Sequence, residues 1–237
     1  MENTTPLNAV VLHGFMQNAS SFKARMASTS RFLKKINVSC DFWNAPFILK
    51  FLDGNNLNLV PFWPEIPQKI LEARNFGIFE NNENDLEKLN NPQNYAFWAR
   101  NRSDDSAEFV GMKESVEALK MKLEKEKVDV LIAFSQGATA VAMIIEEWTR
   151  ENKEDKIPSA VILMSPYYSG RLDIAQKQLS NVMVVIGKTD QVVPVDGAVE
   201  LCEKLGGVLV MHEGGHYIPN LKKEMTDFIL KNTNKQN

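Results

Sequence analysis

The sequence LIAFSQGA, residues 131–138, combines an apolar run that ends at Ser135 with a segment of small residues that follows at once. This pattern predicts a buried strand that turns sharply into a helix, as in a nucleophile elbow. Such a turn holds the serine hydroxyl above the sheet edge, and the helix N-terminus offers backbone N–H donors to an oxyanion. Gly137 suits the close approach of strand and helix, whereas Ala133 stands where glycine is commoner. A helix N-cap serine is the competing interpretation.

Around this stretch, short apolar runs alternate with segments of helical periodicity along the chain. The runs predict six strands, at residues 9–12, 38–42, 128–134, 160–164, 182–186 and 208–211. Apolar residues at helical spacing predict helices at residues 20–36, 112–126, 138–148, 198–205 and 221–229. The alternation is typical of a mainly parallel sheet with helices on both faces. Because no linker interrupts it, we expect a single α/β domain over residues 1–237.

The composition excludes several classes of function. A net charge of -3 with both signs interspersed provides no basic surface for nucleic acid. No apolar run approaches the roughly 20 residues that span a bilayer, and the N-terminal residues do not resemble a secretion signal. The two cysteines, Cys40 and Cys202, are predicted to be buried thiols. We therefore expect a soluble, cytoplasmic protein, of an oligomeric state that the sequence does not specify.

Two later strand ends carry the residues that would complete a catalytic triad with Ser135. Asp190 follows the strand at 182–186, and His216 follows the strand at 208–211 in a glycine-rich loop. The chain order Ser, Asp, His is that of the α/β-hydrolase fold. His216 would take the proton of the nucleophile Ser135, and Asp190 would hold the imidazole tautomer. The alternatives are His212, in a strand, as the base and Asp196 as the acid.

The loop after the first strand is expected to lie beside Ser135 if the strand order reverses between the first and third strands, because ligands bind at that switch point. The N–H of Phe15, or failing it that of Met16, would then join the N–H of Gln136 as an oxyanion hole. Met16 is also a candidate for substrate contact. His13 is expected to brace the loop by a hydrogen bond, and we expect no metal, because no second ligand lies at suitable spacing.

Residues 47–109 interrupt the alternation of strands and helices. These 63 residues contain ten of the chain's 21 aromatic residues. A long aromatic excursion in a compact domain predicts an ordered, cap-like insertion. Its aromatic side chains, with Trp63 and Trp98 as the candidates, are predicted to line a substrate pocket beside Ser135. The alternative is that they form a hydrophobic core of their own.

Several blocks of this sequence resemble the FSH family of serine hydrolases, which is related more distantly to carboxylesterases and acyl-protein thioesterases. They are residues 12–18, 44–46, 134–138, the pair Gly187 and Asp190, and residues 215–216, with weaker similarity at 95–98, 109–111 and 114–115. The resemblance spans most of residues 8–230 and is poorest at 47–94. The sequence departs from the family pattern at Ala133 and at residues 127–130, KVDV.

The resemblance implies an α/β-hydrolase fold with a triad of Ser135, Asp190 and His216. It also implies hydrolysis of carboxylic esters or thioesters with apolar acyl chains through an acyl-enzyme, without metal or organic cofactor. The small-molecule substrate would be an ester or thioester. A non-catalytic relative that binds a small apolar ligand or a protein partner is the alternative, and a peptidase or lipase is a third possibility. The presence of serine, acid and base in the expected order favours the enzyme.

Overall fold

The computed structural model describes residues 5–52, 56–73, 94–100, 109–168 and 178–233. Its centre is a six-stranded sheet in which every neighbouring pair is parallel. The strands are β1 Leu7–Leu12, β2 Val38–Trp43, β9 Val130–Phe134, β10 Ala160–Met164, β11 Val182–Gly187 and β12 Val208–His212. The six predicted strands are confirmed, with ends that differ by at most two residues. β9, β10 and β11 are buried along their whole length, which explains their continuous apolar sequences.

The strand order in this sheet is β12-β11-β10-β9-β1-β2. Strand β1 therefore lies inside the sheet, where it pairs with β2 on one side and with β9 on the other. This reversal between the first and third core strands is the predicted switch point. Because the strands are parallel, the loops after β1, β9, β11 and β12 all leave from the same edge of the sheet.

Helices cover both faces of the parallel sheet, as predicted. They are α1 Ala19–Arg25, α2 Ala27–Lys34, α3 Met112–Lys125, α4 Gln136–Arg150, α5 Val195–Leu205 and α6 Lys222–Thr233. Apolar side chains of α1, α2 and α6 join one hydrophobic cluster, and those of α3, α4 and α5 join the cluster on the opposite face. No helix in the described ranges is long and apolar enough to cross a bilayer. The fold is that of an α/β-hydrolase.

One predicted helix, over residues 20–36, is wrong in detail because the structure has two helices there. Met26 separates α1 from α2 with φ −86° and ψ 4°, and its side chain is fully buried. The segment that follows, Ser28 to Ser30, consists of hydroxyl residues, which have low helix propensity. The apolar periodicity continues through the break, so the sequence pattern did not reveal it.

The excursion at residues 47–109 builds a second, antiparallel sheet. Its strands are β3 Phe47–Phe51, β4 Leu57–Pro61, β5 Leu71–Ala73 and β6 Tyr95–Ala96, in the order β5-β4-β3-β6, and a separate pair joins β7 Ala99–Arg100 to β8 Phe109–Val110. Buried side chains of this sheet share one cluster with α3, α4 and the parallel sheet. Two of the aromatic residues, Phe76 and Phe79, lie outside the described residues.

Candidate active site

Ser135 lies in a sharp turn between β9 and α4. Its backbone has φ 53° and ψ −120°, a region that non-glycine residues rarely adopt and that clusters at functional sites. The turn is fixed on both sides, because the Ser135 N–H donates to the Met164 carbonyl (2.8 Å) and the Ser135 carbonyl accepts from the Thr139 N–H (3.0 Å). Ser135 occupies the N-cap position of α4, yet its side chain makes no capping hydrogen bond. The N-cap interpretation therefore does not account for the hydroxyl.

Small residues allow the backbone to pack closely around this turn. A Cβ atom on Gly137 would lie 2.7 Å from the His13 carbonyl oxygen, and one on Gly14 would lie 2.8 Å from the Ser135 Cβ. The glycines at both positions are thus required for the loop after β1 to approach the elbow. Ala133, in contrast, is fully buried in β9 opposite Leu12 and Leu163. The elbow forms with alanine at the position where glycine is commoner.

The structure brings Ser135, His216 and Asp190 together. His216 Nε2 lies 3.0 Å from Ser135 Oγ, and His216 Nδ1 lies 2.8 Å from Asp190 Oδ2. The other carboxylate oxygen, Asp190 Oδ1, accepts from the N–H groups of Val192 and Val193, each at 2.9 Å. The His216 ring also packs against the Phe134 ring, with centroids 4.9 Å apart. Each member of this chain of hydrogen bonds is therefore held by its neighbours.

The environment of Asp190 favours its ionised form. Burial alone raises the pKa of this carboxyl, but hydrogen bonds from Val193, His216 and Val192 lower it by more, so the net pKa is below the ordinary value. An ionised Asp190 accepts the Nδ1–H of His216, which leaves the Nε2 lone pair directed at Ser135. In this tautomer His216 can accept the Ser135 proton.

The alternative base and acid lie in different surroundings. His212 Nδ1 accepts a hydrogen bond from the Gly214 N–H (3.2 Å), and its ring packs against Tyr217 with centroids 5.1 Å apart. Burial lowers the pKa of His212, which keeps it neutral. Asp196 is exposed in the first turn of α5. Among the described residues, neither forms a hydrogen bond or ion pair with Ser135 or His216.

The two candidate oxyanion donors flank Ser135. Phe15 follows β1 and lines both cavities beside Ser135. Gln136 is the first residue of α4, where a backbone N–H has no partner within the helix. The Gln136 side chain has a separate contact: its Oε1 accepts from the Phe97 N–H (3.2 Å), and its Nε2 donates to the Trp98 carbonyl (3.0 Å). This amide bridge ties the backbone of Phe97 and Trp98 to the elbow.

Two cavities open beside Ser135, and Phe15, Ser135 and Val192 line both. The larger cavity, about 510 Å³, is lined by these residues together with Gln17, Arg25, Phe134, His216, Tyr217 and Ile218. The smaller cavity, about 260 Å³, is lined by them together with Trp98, Arg100, Phe109, Gln136, Thr139, Tyr167 and Val193. Of the two cavities, only the larger is lined by His216.

The three candidates for substrate contact have different positions. Trp98 is 6% exposed and lines the smaller cavity. Met16, with φ 55°, packs against the hydrophobic cluster and lines neither cavity. Trp63 also lines neither cavity; its ring packs edge-on against Trp43, with centroids 6.3 Å apart. The arrangement therefore supports Trp98 as a substrate contact and gives no support for Met16 or Trp63.

Several lining residues were not identified from the sequence. Arg25, Val192 and Tyr167 reach the cavities from the end of α1, the loop after β11 and the loop after β10. No local pattern marks them, since their proximity depends on how the loops fold over the sheet edge. Among the described residues, no group of three or more His, Cys, Asp or Glu side chains is arranged to hold a metal ion.

His13 braces the loop after β1, as the sequence suggested. The ring is fully buried, its Nδ1–H donates to the Gly14 carbonyl (2.7 Å), and its Nε2 accepts from the Ala45 N–H (3.0 Å). It thereby links the loops that follow β1 and β2. Burial lowers the pKa of His13 to about 4, against a smaller opposing effect of the hydrogen bond to Gly14.

A histidine held neutral in this way predicts a specific pH dependence of stability. Unfolded His13 titrates near 6.5 and folded His13 near 4, so between these values the unfolded state binds the proton and stability falls as pH falls. We expect the difference in unfolding free energy between wild type and His13→Gln to shrink by about 2 kcal/mol from pH 7 to about pH 4.5. Urea unfolding of both proteins at both pH values measures this difference in unfolding free energy. A constant difference would contradict a neutral, buried His13.

Comparisons with known proteins identify the family and the fold. A family model described as "Serine hydrolase (FSH1)" matches residues 1–228. The chain is 25% identical over 231 residues to the protein named Esterase OVCA2 of Danio rerio, covering 92% of each chain. It is 27% identical over 230 residues to Esterase AGAP003155 of Anopheles gambiae, covering 94% of this chain and 76% of that protein. The crystal structure of esterase PE8 has the same fold, with a TM-score of 0.53 at 16% identity, covering 98% of this chain and 92% of that one.

Proposed function

The chain belongs to the FSH1 family of serine hydrolases, and from this premise we propose that it cleaves carboxylic esters or thioesters with apolar acyl chains through an acyl-enzyme intermediate. The observation that carries the proposal is the continuous hydrogen-bonded path from Ser135 Oγ through His216 to Asp190, at 3.0 Å and 2.8 Å. A protein that only bound a ligand in this crevice would need neither the path nor the unusual backbone conformation of Ser135.

In the proposed reaction, Ser135 Oγ attacks the substrate carbonyl carbon while His216 Nε2 takes the hydroxyl proton. The oxyanion that forms is stabilised by the N–H groups of Phe15 and Gln136. His216 then gives its proton to the departing alcohol or thiol, which leaves the acyl group on Ser135. A water molecule, deprotonated by His216, attacks this acyl-enzyme, and His216 returns the proton to Ser135 Oγ as the carboxylic acid is released. Asp190 holds the histidine orientation throughout.

The position of His216 supports a proposal for which part of the substrate each cavity binds. Because His216 must protonate the leaving group, that group occupies the larger cavity, which His216 lines. The acyl chain then extends into the smaller cavity, between aromatic residues that include Trp98 and Phe109. Both residues belong to the segment 47–109. We therefore propose that this segment is a cap-like insertion within a single domain, and that it shapes the acyl site.

The amide bridge of Gln136 supports this assignment. It joins the residue after the nucleophile to the backbone on both sides of the Phe97–Trp98 peptide. The Phe97 carbonyl also accepts a hydrogen bond from the Ser115 hydroxyl of α3. These three contacts hold the backbone at Trp98 relative to Ser135, and burial of the residue, which is 6% exposed, restricts its side chain. A fixed side chain loses little further entropy when an acyl chain binds against it.

Replacement of Trp98 tests the acyl site. We expect Trp98→Ala to lower the ratio of kcat/KM for long over short p-nitrophenyl acyl esters by about tenfold, because a ring that covers apolar surface contributes about 1.5 kcal/mol or more. Short acyl chains do not reach this ring and should be affected less. The measurement is kcat/KM over a series of chain lengths, on variants shown by urea unfolding to be folded.

Trp63→Ala is the matched control for this experiment. Trp63 and Trp98 are both tryptophans of the insertion and are equally buried, at 5% and 6% exposed, but only Trp98 lines the smaller cavity. Both variants are expected to lose about 3–5 kcal/mol of stability. An unchanged chain-length ratio in Trp98→Ala, or an equal change in Trp63→Ala, would show that the acyl site lies elsewhere.

A further inference from the structure

The larger cavity has an unbalanced charge. Among the described residues that line it, Arg25 has a permanent charge, and none is an Asp or Glu. Arg25 is the last residue of α1 and is exposed. It forms no hydrogen bond or ion pair with other residues in the described part of the chain, whereas another exposed cation, Lys188, pairs with Glu213. The guanidinium is therefore available to a ligand.

Two further polar side chains line the same cavity. Gln17 uses its Oε1 to accept the Gly14 N–H (3.1 Å), which leaves its NH2 group as a donor. The Tyr217 hydroxyl can also donate. The cavity thus combines a cation with neutral donors. Such a set complements an oxygen anion, because guanidinium groups pair with carboxylate and phosphate through several N–H donors.

A positive side chain at the end of a helix also has a purely structural explanation. Cations in the last turn interact favourably with the helix dipole, and Lys23 and Arg25 both lie in the last turn of α1. The two residues differ in one respect, because Arg25 lines the larger cavity and Lys23 does not. The helix dipole explains a basic residue at either position. It does not explain why, among the described residues, the cavity beside the proposed catalytic histidine has no counter-charge for Arg25.

We propose that Arg25 binds an anionic oxygen group, carboxylate or phosphate, on the leaving group of the substrate. The inference rests on the proposed function, since it is His216 that identifies the larger cavity as the leaving-group side. The substrates of this hydrolase are then esters or thioesters whose alcohol or thiol part is negatively charged, and the acyl part is apolar. The net charge of -3 means that the protein as a whole does not attract anions. Selection for such substrates therefore depends on a local cation.

The test compares charged and neutral leaving groups on one acyl chain. In the phosphate arm, kcat/KM is measured for butyryl-coenzyme A and butyryl-pantetheine. In the carboxylate arm, it is measured for the butyryl esters of 4-hydroxybenzoate and of 4-hydroxybenzamide. For Arg25→Gln we expect the ratio of charged over neutral kcat/KM to fall about tenfold in at least one arm, since a hydrogen-bonded charge pair contributes on that order. The arm that responds identifies the anion.

Lys23→Gln is the matched control, because it removes the same charge from the same helix turn. Its charged-over-neutral ratio is expected to stay within about twofold of wild type. An unchanged ratio in Arg25→Gln in both arms, or an equal fall in Lys23→Gln, would overturn the inference while leaving ester hydrolysis intact. Failure of the wild-type protein to cleave any of the four compounds would instead overturn the proposed function, and the inference with it.

Discussion

Ser135→Ala is expected to lower kcat/KM for an activated ester such as p-nitrophenyl butyrate by about 10⁴- to 10⁶-fold. The Ser135 hydroxyl oxygen lies 3.0 Å from His216 Nε2. Without it no acyl-enzyme forms, and residual hydrolysis depends on the oxyanion donors and on substrate binding alone. His216→Ala is expected to have an effect of similar size, because the two residues act as a unit. The folded structure should persist, which the urea unfolding midpoint checks.

Ser165→Ala is a suitable control for the nucleophile. Ser165 also follows a buried strand, β10, and also has a positive φ, of 48°, but in the described structure it forms no hydrogen bond with His216. We expect this variant to retain turnover close to that of wild type. Near-wild-type turnover by a folded Ser135→Ala protein would contradict the assignment of the nucleophile. A loss in Ser165→Ala as large as that in Ser135→Ala would mean that disturbance of the sheet edge, and not chemistry, explains the effect.

Asp190→Asn is expected to lower kcat/KM by about 10³- to 10⁴-fold. The new amide oxygen can keep the two hydrogen bonds from Val192 and Val193, which places the NH2 group where Asp190 Oδ2 now lies, 2.8 Å from His216 Nδ1. An NH2 group donates, so Nδ1 must become the acceptor and the imidazole proton moves to Nε2. The protonated Nε2 then faces Ser135 and cannot take its proton. The substitution is nearly isosteric, so the loss comes from the wrong tautomer.

Asp196→Asn is the control for the acid. Asp196 lies six residues further along the chain, is exposed, and belongs to the first turn of the helix α5. Its replacement is expected to leave kcat/KM within about twofold of wild type and to reduce stability only slightly, through the lost charge at the helix N-terminus. A greater loss of activity in Asp196→Asn than in Asp190→Asn would require a different acid. Both variants should be assayed at the same ionic strength, because the helix-terminus effect is screened by salt.

The parallel sheet could be predicted from the sequence, because each of its strands is marked by a pattern of neighbouring residues. Each core strand is a short apolar run, and β9, β10 and β11 are buried on both faces, so their runs are continuous and easily recognised. The convergence of Ser135, Asp190 and His216 could be predicted for a related reason. All three follow strands of one parallel sheet, and a switch point brings the loop after β1 to the same edge.

The antiparallel sheet could not be predicted in the same way. Strand β6, Tyr95–Ala96, has two residues and pairs with β3 more than 40 positions earlier in the chain. So short a strand has no measurable periodicity, and its place depends on tertiary contacts such as the Gln17 carbonyl, which accepts from the Tyr95 N–H. Aromatic content alone also did not distinguish Trp98, beside a cavity, from Trp63, which packs on Trp43. Burial is nearly equal at the two positions.

The most direct test of the proposed serine hydrolase is covalent labelling with a fluorophosphonate. This reagent phosphonylates a serine only if the hydroxyl is activated by a base and the oxyanion is stabilised, so it reports the geometry described here without requiring the natural substrate. Intact-mass measurement and peptide mapping are expected to find one adduct per chain, on Ser135, and none in Ser135→Ala under the same conditions. Absence of labelling in the folded wild-type protein, or an adduct on another serine that persists in Ser135→Ala, would contradict the account.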